Sequence, residues 1–232
     1  MRAAIFLLLA GAAAVPAASA QPGGKAPATS VNWAGMVVAT PEGGFRMGNP
    51  AAKVKLIEYG SLTCSHCATF AKEGMESLVG SYVRSGKVSY EYRNLVLNGL
   101  DVAATMVARC GGAGRFFPVA DKLYATQDQW KRRVKELTDA QKQALNALPE
   151  NQRLGRLAEL AGIPEIAAQH GIAPASAKTC LADRAAFDAL GKMNEAAAAQ
   201  GVQGTPTFFL DGANIGSHNW ATLEPILREA AG

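Results

Sequence analysis

The sequence has few of the features that mark several large classes of protein. It contains no glycine-rich phosphate-binding loop, no His-Glu-x-x-His helix and no Gly-x-Ser-x-Gly turn, so nucleotide, zinc-peptidase and serine-hydrolase chemistry of those types is not indicated. The net charge is only +4, without a dense basic stripe. We therefore expect no nucleic-acid partner. After the start of the chain, no stretch reaches the roughly twenty apolar residues that a membrane span needs.

The first twenty residues have the pattern of a cleavable export signal. Arg2 supplies a positive start, residues 3–15 are apolar, Pro16 ends the run, and Ala-Ser-Ala at 18–20 is a small-x-small cleavage pattern. A membrane anchor is the alternative, but the run is too short to cross a bilayer comfortably. We expect cleavage after Ala20 and a periplasmic protein, in a compartment where disulfides persist.

Hydrophobic patterning separates strand-forming from helix-forming segments. Strands are predicted at 36–40, 54–59, 87–93, 206–210 and 213–215, and between the third and fourth lies a block of helices without a comparable strand. The order β-α-β, helical block, α-β-β-α predicts an α/β protein in which helices interrupt the sheet-forming segments.

Local signals suggest where some elements begin. Asp101 is expected to cap a helix that runs to Cys110. Asp211-Gly212 predicts a hairpin turn. The last helix is expected to start near Thr222, where Pro225 falls in the first turn.

Two of the four cysteines stand together in the segment Cys64-Ser65-His66-Cys67, where a predicted buried strand passes into a helix. The first helical turn offers free backbone N–H groups and the positive end of the helix dipole, so we expect Cys64 to be a stabilised thiolate. The thiolate is the species that attacks a disulfide. Cys67, one turn later, is near enough to bridge to Cys64 and to resolve a mixed disulfide. The pattern therefore predicts thiol–disulfide exchange.

Other uses of these residues are less favoured. A zinc site needs a second ligand pair at matching spacing, and Cys110 and Cys180 are isolated. A purely structural bridge between Cys64 and Cys67 closes too short a loop to stabilise much. A module that binds a soft metal through Cys64, His66 and Cys67 stays open as a hypothesis from a different class. We expect no cofactor and no resident metal.

From about residue 53 to the C-terminus, the chain resembles the disulfide-bond-forming protein A (DsbA) family of bacterial thioredoxin-like proteins. Cys64-Ser65-His66-Cys67 is similar to the family's Cys-Pro-His-Cys, an acidic residue precedes it by six positions, and residues 201–209 resemble the cis-proline stretch. The resemblance implies a thioredoxin-like fold, a central mixed sheet flanked by helices, with a helical insertion. The expected division is a signal peptide at 1–20, a flexible segment at 21–49, a thioredoxin-like domain at 50–97 and 185–232, and the insertion at 98–184.

The resemblance also implies roles near the dithiol. Pro206 is expected to be cis and to face Cys64, so that the backbone around Thr205 pairs with an extended substrate peptide. A trans proline that opens an edge strand is the alternative. Glu58 is expected to relay a proton for Cys67. Its alternative is an ion pair with Lys55 or Lys72.

His66 is expected to stabilise the Cys64 thiolate and so to favour the reduced protein, although it could also be a mere surface histidine. The family then implies an oxidase that introduces disulfides into reduced or unfolded exported proteins and is reoxidised by a membrane-bound partner. Ser65 and Thr205 depart from the usual family residues. An isomerase or reductase kept reduced by a partner therefore stays as the alternative.

Cys110 and Cys180 form the second pair. A bridge between them resembles the additional, non-catalytic disulfide of some family members and would close a loop of about seventy residues. The alternative is two buried free thiols, which an oxidising compartment disfavours. We expect a structural disulfide.

Overall fold

The computed structural model describes residues 31–232 of the 232-residue protein. The expected signal peptide, its cleavage after Ala20 and the lead-in at 21–30 lie outside the described residues. Within the described part, no helix is long and apolar enough to cross a membrane.

A six-stranded mixed sheet forms the centre of the fold. Its strands are β1 (Val37–Ala39), β2 (Phe45–Met47), β3 (Val54–Gly60), β4 (Val88–Asn94), β5 (Thr207–Leu210) and β6 (Ala213–Gly216). They are ordered β1-β2-β4-β3-β5-β6, with β3 and β4 parallel and the other neighbours antiparallel. The predicted α/β fold with a mixed sheet is confirmed. β3, the strand that leads to Cys64, lies between β4 and β5.

Ten α-helices accompany the sheet in the described residues. α1 (Ser65–Ser77) follows β3 and continues as a π-helical turn (Leu78–Val83). Between β4 and β5 the chain is helical, with α2 (Gly99–Arg109), α3 (Ala113–Ala125), α4 (Gln127–Lys135), α5 (Asp139–Ala147), α6 (Glu150–Ala161), α7 (Ile163–Ala168), α8 (Pro174–Leu181) and α9 (Arg184–Ala199). α10 (Trp220–Ala231) closes the chain. The division at 98–184 into an insertion remains a prediction.

Alternating residues of β3 enter two different cores, because successive strand side chains point to opposite faces. Val54 and Leu56 join the main core with side chains of α1, α3 and α10. Ile57 and Tyr59 join a smaller core with Ala197 of α9. Helices therefore cover both faces of the central strands, and all seven residues of β4 are buried.

Three expectations need correction. Residues 37–39 and 45–47, which the expected division placed in a flexible segment, form β1 and β2, and β2 pairs with β4. The cap of α2 is Asn98, whose side chain accepts from the N–H of Asp101, so Asp101 is not the cap. α10 begins at Trp220 rather than near Thr222, and Pro225 lies inside the helix.

Cys110 and Cys180 are joined by a disulfide between α2 and α8. Cys110 is the residue at the C-terminal end of α2, and Cys180 lies in the last turn of α8. The bridge links two helices of the helical block and is separate from the pair at the start of α1.

Candidate active site

Cys64 is the residue that precedes the first turn of α1, and it has an extended backbone. The strand before it ends at Gly60, where a Cβ atom would lie about 2.5 Å from the ring of Tyr92, so only glycine fits there. Residues 61–63 form the short loop between β3 and α1. Because the loop leaves the centre of the sheet, the dithiol lies at the end of the buried strands, at the start of a helix.

Asp101 holds this loop from α2. The side chain is fully buried, and its carboxylate accepts from the Ser61 hydroxyl at 2.6 Å, from Leu62 N–H at 3.0 Å and from Leu97 N–H at 2.9 Å. Burial raises the pKa of Asp101, and the hydrogen bonds oppose that shift. Sequence reasoning assigned this residue to a helix cap and missed its contact with the active-site loop.

Helix α4 satisfies the carbonyl groups of the same loop. Gln127 Nε2 donates to Leu62 O at 2.8 Å and to Cys64 O at 2.9 Å, and Lys131 Nζ donates to Thr63 O at 2.7 Å. Residues four apart lie on one helix face, which explains why both side chains reach the loop. Nothing in the sequence pointed to them, since their partners lie more than sixty residues away.

The two thiols differ in environment. Cys64 is half-buried, and its pKa is lowered to about 5, first because the Cys67 thiol donates to its sulfur and further through Thr205 and the backbone N–H groups of the first helical turn. Cys67 is fully buried, which raises the pKa of its thiol well above the ordinary value. Both are free thiols in the structure. Cys64 is therefore the more exposed and the more readily ionised of the two thiols.

Glu58 lies on β3 beneath the dithiol and is 2% exposed. Its Oε2 accepts from the Tyr90 hydroxyl at 2.6 Å. Burial raises the pKa of Glu58 to about 8, and the nearby Cys64 charge adds to the shift. The Glu58 carboxylate in turn raises the pKa of Cys67.

The alternative of an ion pair for Glu58 does not hold within residues 31–232. Lys55 Nζ donates instead to the carbonyl oxygens of Pro50 and Ala52, at 2.7 Å each. Lys72 lines a groove between α1 and the helical block. The carboxyl group is thus buried without a compensating cation, which is the environment that keeps a carboxyl protonated near neutral pH.

The loop before β5 faces Cys64. The Thr205–Pro206 peptide bond is cis, and the Cys64 thiol donates to Thr205 O at 3.2 Å. Thr205 Oγ1 is buried without a hydrogen-bond partner in the described part of the chain. The hydroxyl is nevertheless near enough to the Cys64 sulfur to donate to a thiolate there, and this lowers the pKa of Cys64.

The histidine side chains make few contacts near the dithiol. His66 is exposed, as is Ser65, and its backbone N–H rather than its ring is directed towards the Cys64 sulfur. His218 contacts Thr222 and Ile215 O in the loop before α10. In the described residues, no group of three or more His, Cys, Asp or Glu side chains is arranged to hold a metal ion. The geometry does not favour the metal-binding module.

A mixed sheet with a dithiol at the start of the helix after a central strand, opposite a cis-proline loop, defines the thioredoxin-like class of proteins. A family model described as thioredoxin matches residues 40–229, so the chain belongs to the thioredoxin family.

Several solved structures resemble the protein, among them one from Novosphingobium and one from Wolbachia. The crystal structure of a protein-disulfide isomerase from Novosphingobium aromaticivorans has a TM-score of 0.76 and 31% identity, and the match covers 82% of this chain and 98% of that one. Wolbachia pipientis α-DsbA1 has a TM-score of 0.59 and 20% identity, over 81% of this chain and 90% of that one. The predicted DsbA-like fold is confirmed.

Curated relatives that match this chain have longer sequences. A Rickettsia felis protein that carries the name "Putative protein-disulfide oxidoreductase" is 27% identical over 188 residues. The match covers 79% of this chain, and this chain spans 59% of the relative's length. A Rickettsia conorii protein gives the same coverage at the same identity.

Proposed function

We propose that the protein is a thiol–disulfide oxidoreductase that exchanges disulfides with protein substrates through Cys64 and Cys67. The observation that carries the proposal is the difference between the two thiols. The pKa of Cys64 is lowered to about 5, so this thiol is ionised at neutral pH, whereas the pKa of the buried Cys67 is raised well above its ordinary value. A reachable thiolate beside a protonated resolving thiol is what disulfide exchange needs.

The exchange follows from these protonation states. With the pair oxidised, a substrate thiolate attacks Cys64 Sγ, the Cys64–Cys67 bond breaks, and Cys67 leaves with the electron pair. The Glu58 carboxyl gives Cys67 its proton. A second substrate thiolate then attacks the substrate sulfur of the mixed disulfide, and Cys64 leaves as a stable thiolate. The substrate loses two electrons, which the enzyme dithiol gains.

The loop before β5 is proposed to bind the substrate backbone. Support comes from Thr205 O, which lies 3.2 Å from Cys64 Sγ, so that the backbone of this loop faces the dithiol. When a substrate disulfide occupies Cys64, an extended peptide can pair with this backbone. The names of the Rickettsia relatives and of the Novosphingobium isomerase support the same chemistry.

We further propose the oxidising direction. A stabilised Cys64 thiolate favours the reduced dithiol, and a stable reduced form makes the oxidised form a better oxidant. A pKa of about 5 for Cys64 lies between the values of about 7 for thioredoxin and about 3.5 for DsbA. His66, between the two cysteines, is proposed to tune this balance. Exported proteins in the periplasm are the proposed substrates, and a membrane-bound partner reoxidises the dithiol.

The reduction potential of the Cys64–Cys67 pair tests the direction. We would equilibrate the protein in glutathione buffers and quantify the alkylated peptides by mass spectrometry, which separates this pair from Cys110–Cys180. A potential near about −120 mV supports an oxidase, and one near about −270 mV, the value for thioredoxin, contradicts it. The same measurement on His66→Ala gives the contribution of the His66 ring to the reduction potential.

A disulfide isomerase is the second candidate, and one comparison favours it. The Novosphingobium structure, with 31% identity, is titled a protein-disulfide isomerase. An isomerase works with the dithiol reduced, so reactivation of a scrambled multi-disulfide protein by the reduced enzyme is the assay. Faster reactivation of the scrambled substrate than oxidative folding of the reduced one would favour the isomerase over the oxidase.

A further inference from the structure

A second groove lies beside the active-site loop, between α4 and the turn into α2 that contains Leu97 and Leu100. Its volume is about 920 Å³, and Thr63, the residue directly before Cys64, forms part of its wall. Ligand sites usually occupy about 300–1,000 Å³. In the described residues, none of positions 201–206 of the loop before β5 lines this space, so it is separate from the proposed backbone-binding loop. We call it the α4 groove.

The wall formed by the turn into α2 is apolar. Leu97 is 52% exposed, and the other large apolar side chains that stand exposed in the described residues lie at 31–38, far along the chain. Leu100 and Val134, which also line the groove, are partly buried against the main core. The N–H of Leu97 donates to Asp101 at 2.9 Å, so the backbone that carries this exposed side chain is fixed. An apolar side chain of a bound peptide could pack against it.

The opposite wall, on α4, is basic. Three cations and two acids line it: Lys131, Arg132, Lys135, Asp128 and Glu136. Lys131 donates to Thr63 O, whereas Arg132 and Lys135 are exposed and take part in none of the ion pairs of the described residues. The helix dipole favours cations at this end of α4, but it does not require them to line a groove. Cations without counterions on a concave surface favour an anionic group there.

A chain bound at Cys64 can enter the α4 groove. Thr63 and Cys64 are consecutive, and consecutive Cα atoms are about 3.8 Å apart. An extended peptide advances about 3.3 Å per residue, so side chains within about four residues of a substrate cysteine come level with the groove. Thr205 O, 3.2 Å from Cys64 Sγ, is the proposed partner of the substrate backbone at the cysteine itself. The groove would then act on the residues that follow on one side.

We infer that the α4 groove selects protein substrates that carry an acidic and an apolar side chain within about four residues of the reactive cysteine, on one side of it. The inference rests on the proposed function, because it concerns the substrate that reacts at Cys64. Arg132 and Lys135 attract the acidic group, and Leu97 contacts the apolar one. Together they hold the substrate cysteine against the dithiol.

The test measures how fast the reduced protein reacts with model peptides. Each peptide carries one cysteine in a disulfide with thionitrobenzoate. The Cys64 thiolate attacks the peptide sulfur, and thionitrobenzoate leaves with the electron pair and is detected by its absorbance. Cys67 then attacks Cys64 Sγ and releases the peptide as a thiol. The enzyme dithiol loses the two electrons that the peptide disulfide gains.

Four peptides differ only in the residues beside their cysteine. Two carry Asp and Leu, one before the cysteine and one after it, and the other two carry Asn and Leu at the same places. The ratio of the second-order rate constants for the acidic and the neutral peptide of one layout is the preference. Because the ratio is taken within one protein, any misfolded fraction of a variant cancels.

Wild type is expected to prefer the acidic peptide about fivefold in one layout and less than about twofold in the other, at the upper range for exposed ion pairs. Arg132→Gln/Lys135→Gln should reduce the preference to less than about twofold. Arg84→Gln/Lys178→Gln should keep it, since this control removes the same charge from two exposed residues outside the groove. About 1 M salt, at which the Debye length is about 3 Å, should abolish the wild-type preference.

Leu97→Ser tests the apolar wall. With the preferred peptide it should react about threefold more slowly than wild type, because less apolar surface is buried on binding. Replacing the peptide Leu by Ser should remove this difference, since a double-mutant cycle isolates the contact between the two side chains. Val38→Ser is the control, because Val38 is also exposed, at 44%, but lies on β1 and outside the groove.

Three results would overturn the inference. An equal preference in both layouts indicates general attraction by the net charge of +4 rather than a groove on one side. A preference that survives in Arg132→Gln/Lys135→Gln, or its absence from wild type, contradicts the role of the two cations. A Leu97→Ser defect that persists with the Ser peptide contradicts the apolar contact. A wild-type protein that reacts with every peptide as slowly as Cys64→Ala is a different outcome, because it contradicts the proposed function itself.

Discussion

The sulfur of Cys64 lies 3.2 Å from the carbonyl oxygen of Thr205, to which the protonated thiol donates, and this contact joins residues 141 positions apart in the chain. The contact places the nucleophile against the loop that is proposed to hold substrate backbone. It also brings the Thr205 hydroxyl, buried and without a partner in the described residues, close to the sulfur. The loop that is proposed to bind substrate therefore also lowers the pKa of the thiol.

Replacing Thr205 by valine should raise the pKa of Cys64 above about 5, because the variant keeps the shape of the side chain and loses the hydroxyl that lowers that pKa. Thiolate absorbance at 240 nm, followed against pH, gives the midpoint directly. Thr69→Val is the matched control, since its hydroxyl donates to Ser65 O elsewhere on α1. An unchanged midpoint in Thr205→Val would contradict the role of the hydroxyl.

Glu58→Gln should gain stability relative to wild type as the pH rises. The pKa of Glu58 is raised from 4.5 to about 8 in the folded protein, so its contribution is fully present below about pH 4.5 and is lost as the pH rises through about 8. Gln does not titrate, so the difference in unfolding free energy should widen between those values. Urea unfolding of the reduced proteins at several pH values measures this difference.

Tyr90→Phe provides the complementary variant. The Tyr90 hydroxyl donates to Glu58 and lowers its pKa against the larger effect of burial. Removal of this hydroxyl should raise the pKa of Glu58 further, so the loss of unfolding free energy should continue to a higher pH than in wild type. A parallel pH dependence in wild type and Glu58→Gln would show that Glu58 does not titrate in this range.

Asp101→Ala should destabilise the protein by about 3 kcal/mol, the upper range for leaving buried hydrogen-bond donors without a partner. The carboxylate accepts from Ser61, Leu62 and Leu97, and its loss leaves these groups unpaired. Asp183→Ala is the control. Asp183 caps α9 at the surface, and loss of such a cap costs only about 1 kcal/mol. Equal losses in the two variants would refute the special role of Asp101 in the loop.

Removal of the second disulfide should reduce stability and leave exchange chemistry intact. The bridge joins residues 70 positions apart, so the chain-entropy model gives a loss of about 4 kcal/mol for Cys110→Ala/Cys180→Ala. Chemical unfolding measures this loss, and the rate of dithiothreitol turnover reports on Cys64 and Cys67. A variant that folds normally and yet loses exchange activity would assign Cys110 and Cys180 a catalytic role instead.

Short-range features of the chain were accessible from the sequence. β3, the following helix and the hairpin at Asp211-Gly212 depend on hydrophobic periodicity and on turn residues, which act over a few positions. Both turn residues have positive φ, as the predicted tight turn requires. The position of Cys64 before the first turn of α1 follows from the same local pattern. The backbone N–H groups of that turn, which the pattern also predicts, are one cause of its lowered pKa, whereas the contribution of Thr205 comes from a distant segment.

Contacts between distant segments could be decided only by the tertiary structure. Asp101, Gln127 and Lys131 hold the loop before Cys64, but no local pattern distinguishes them from a helix cap or from surface polar residues. A hydrogen bond or a cavity depends on where atoms of distant segments meet, whereas sequence periodicity records only which face of an element is buried.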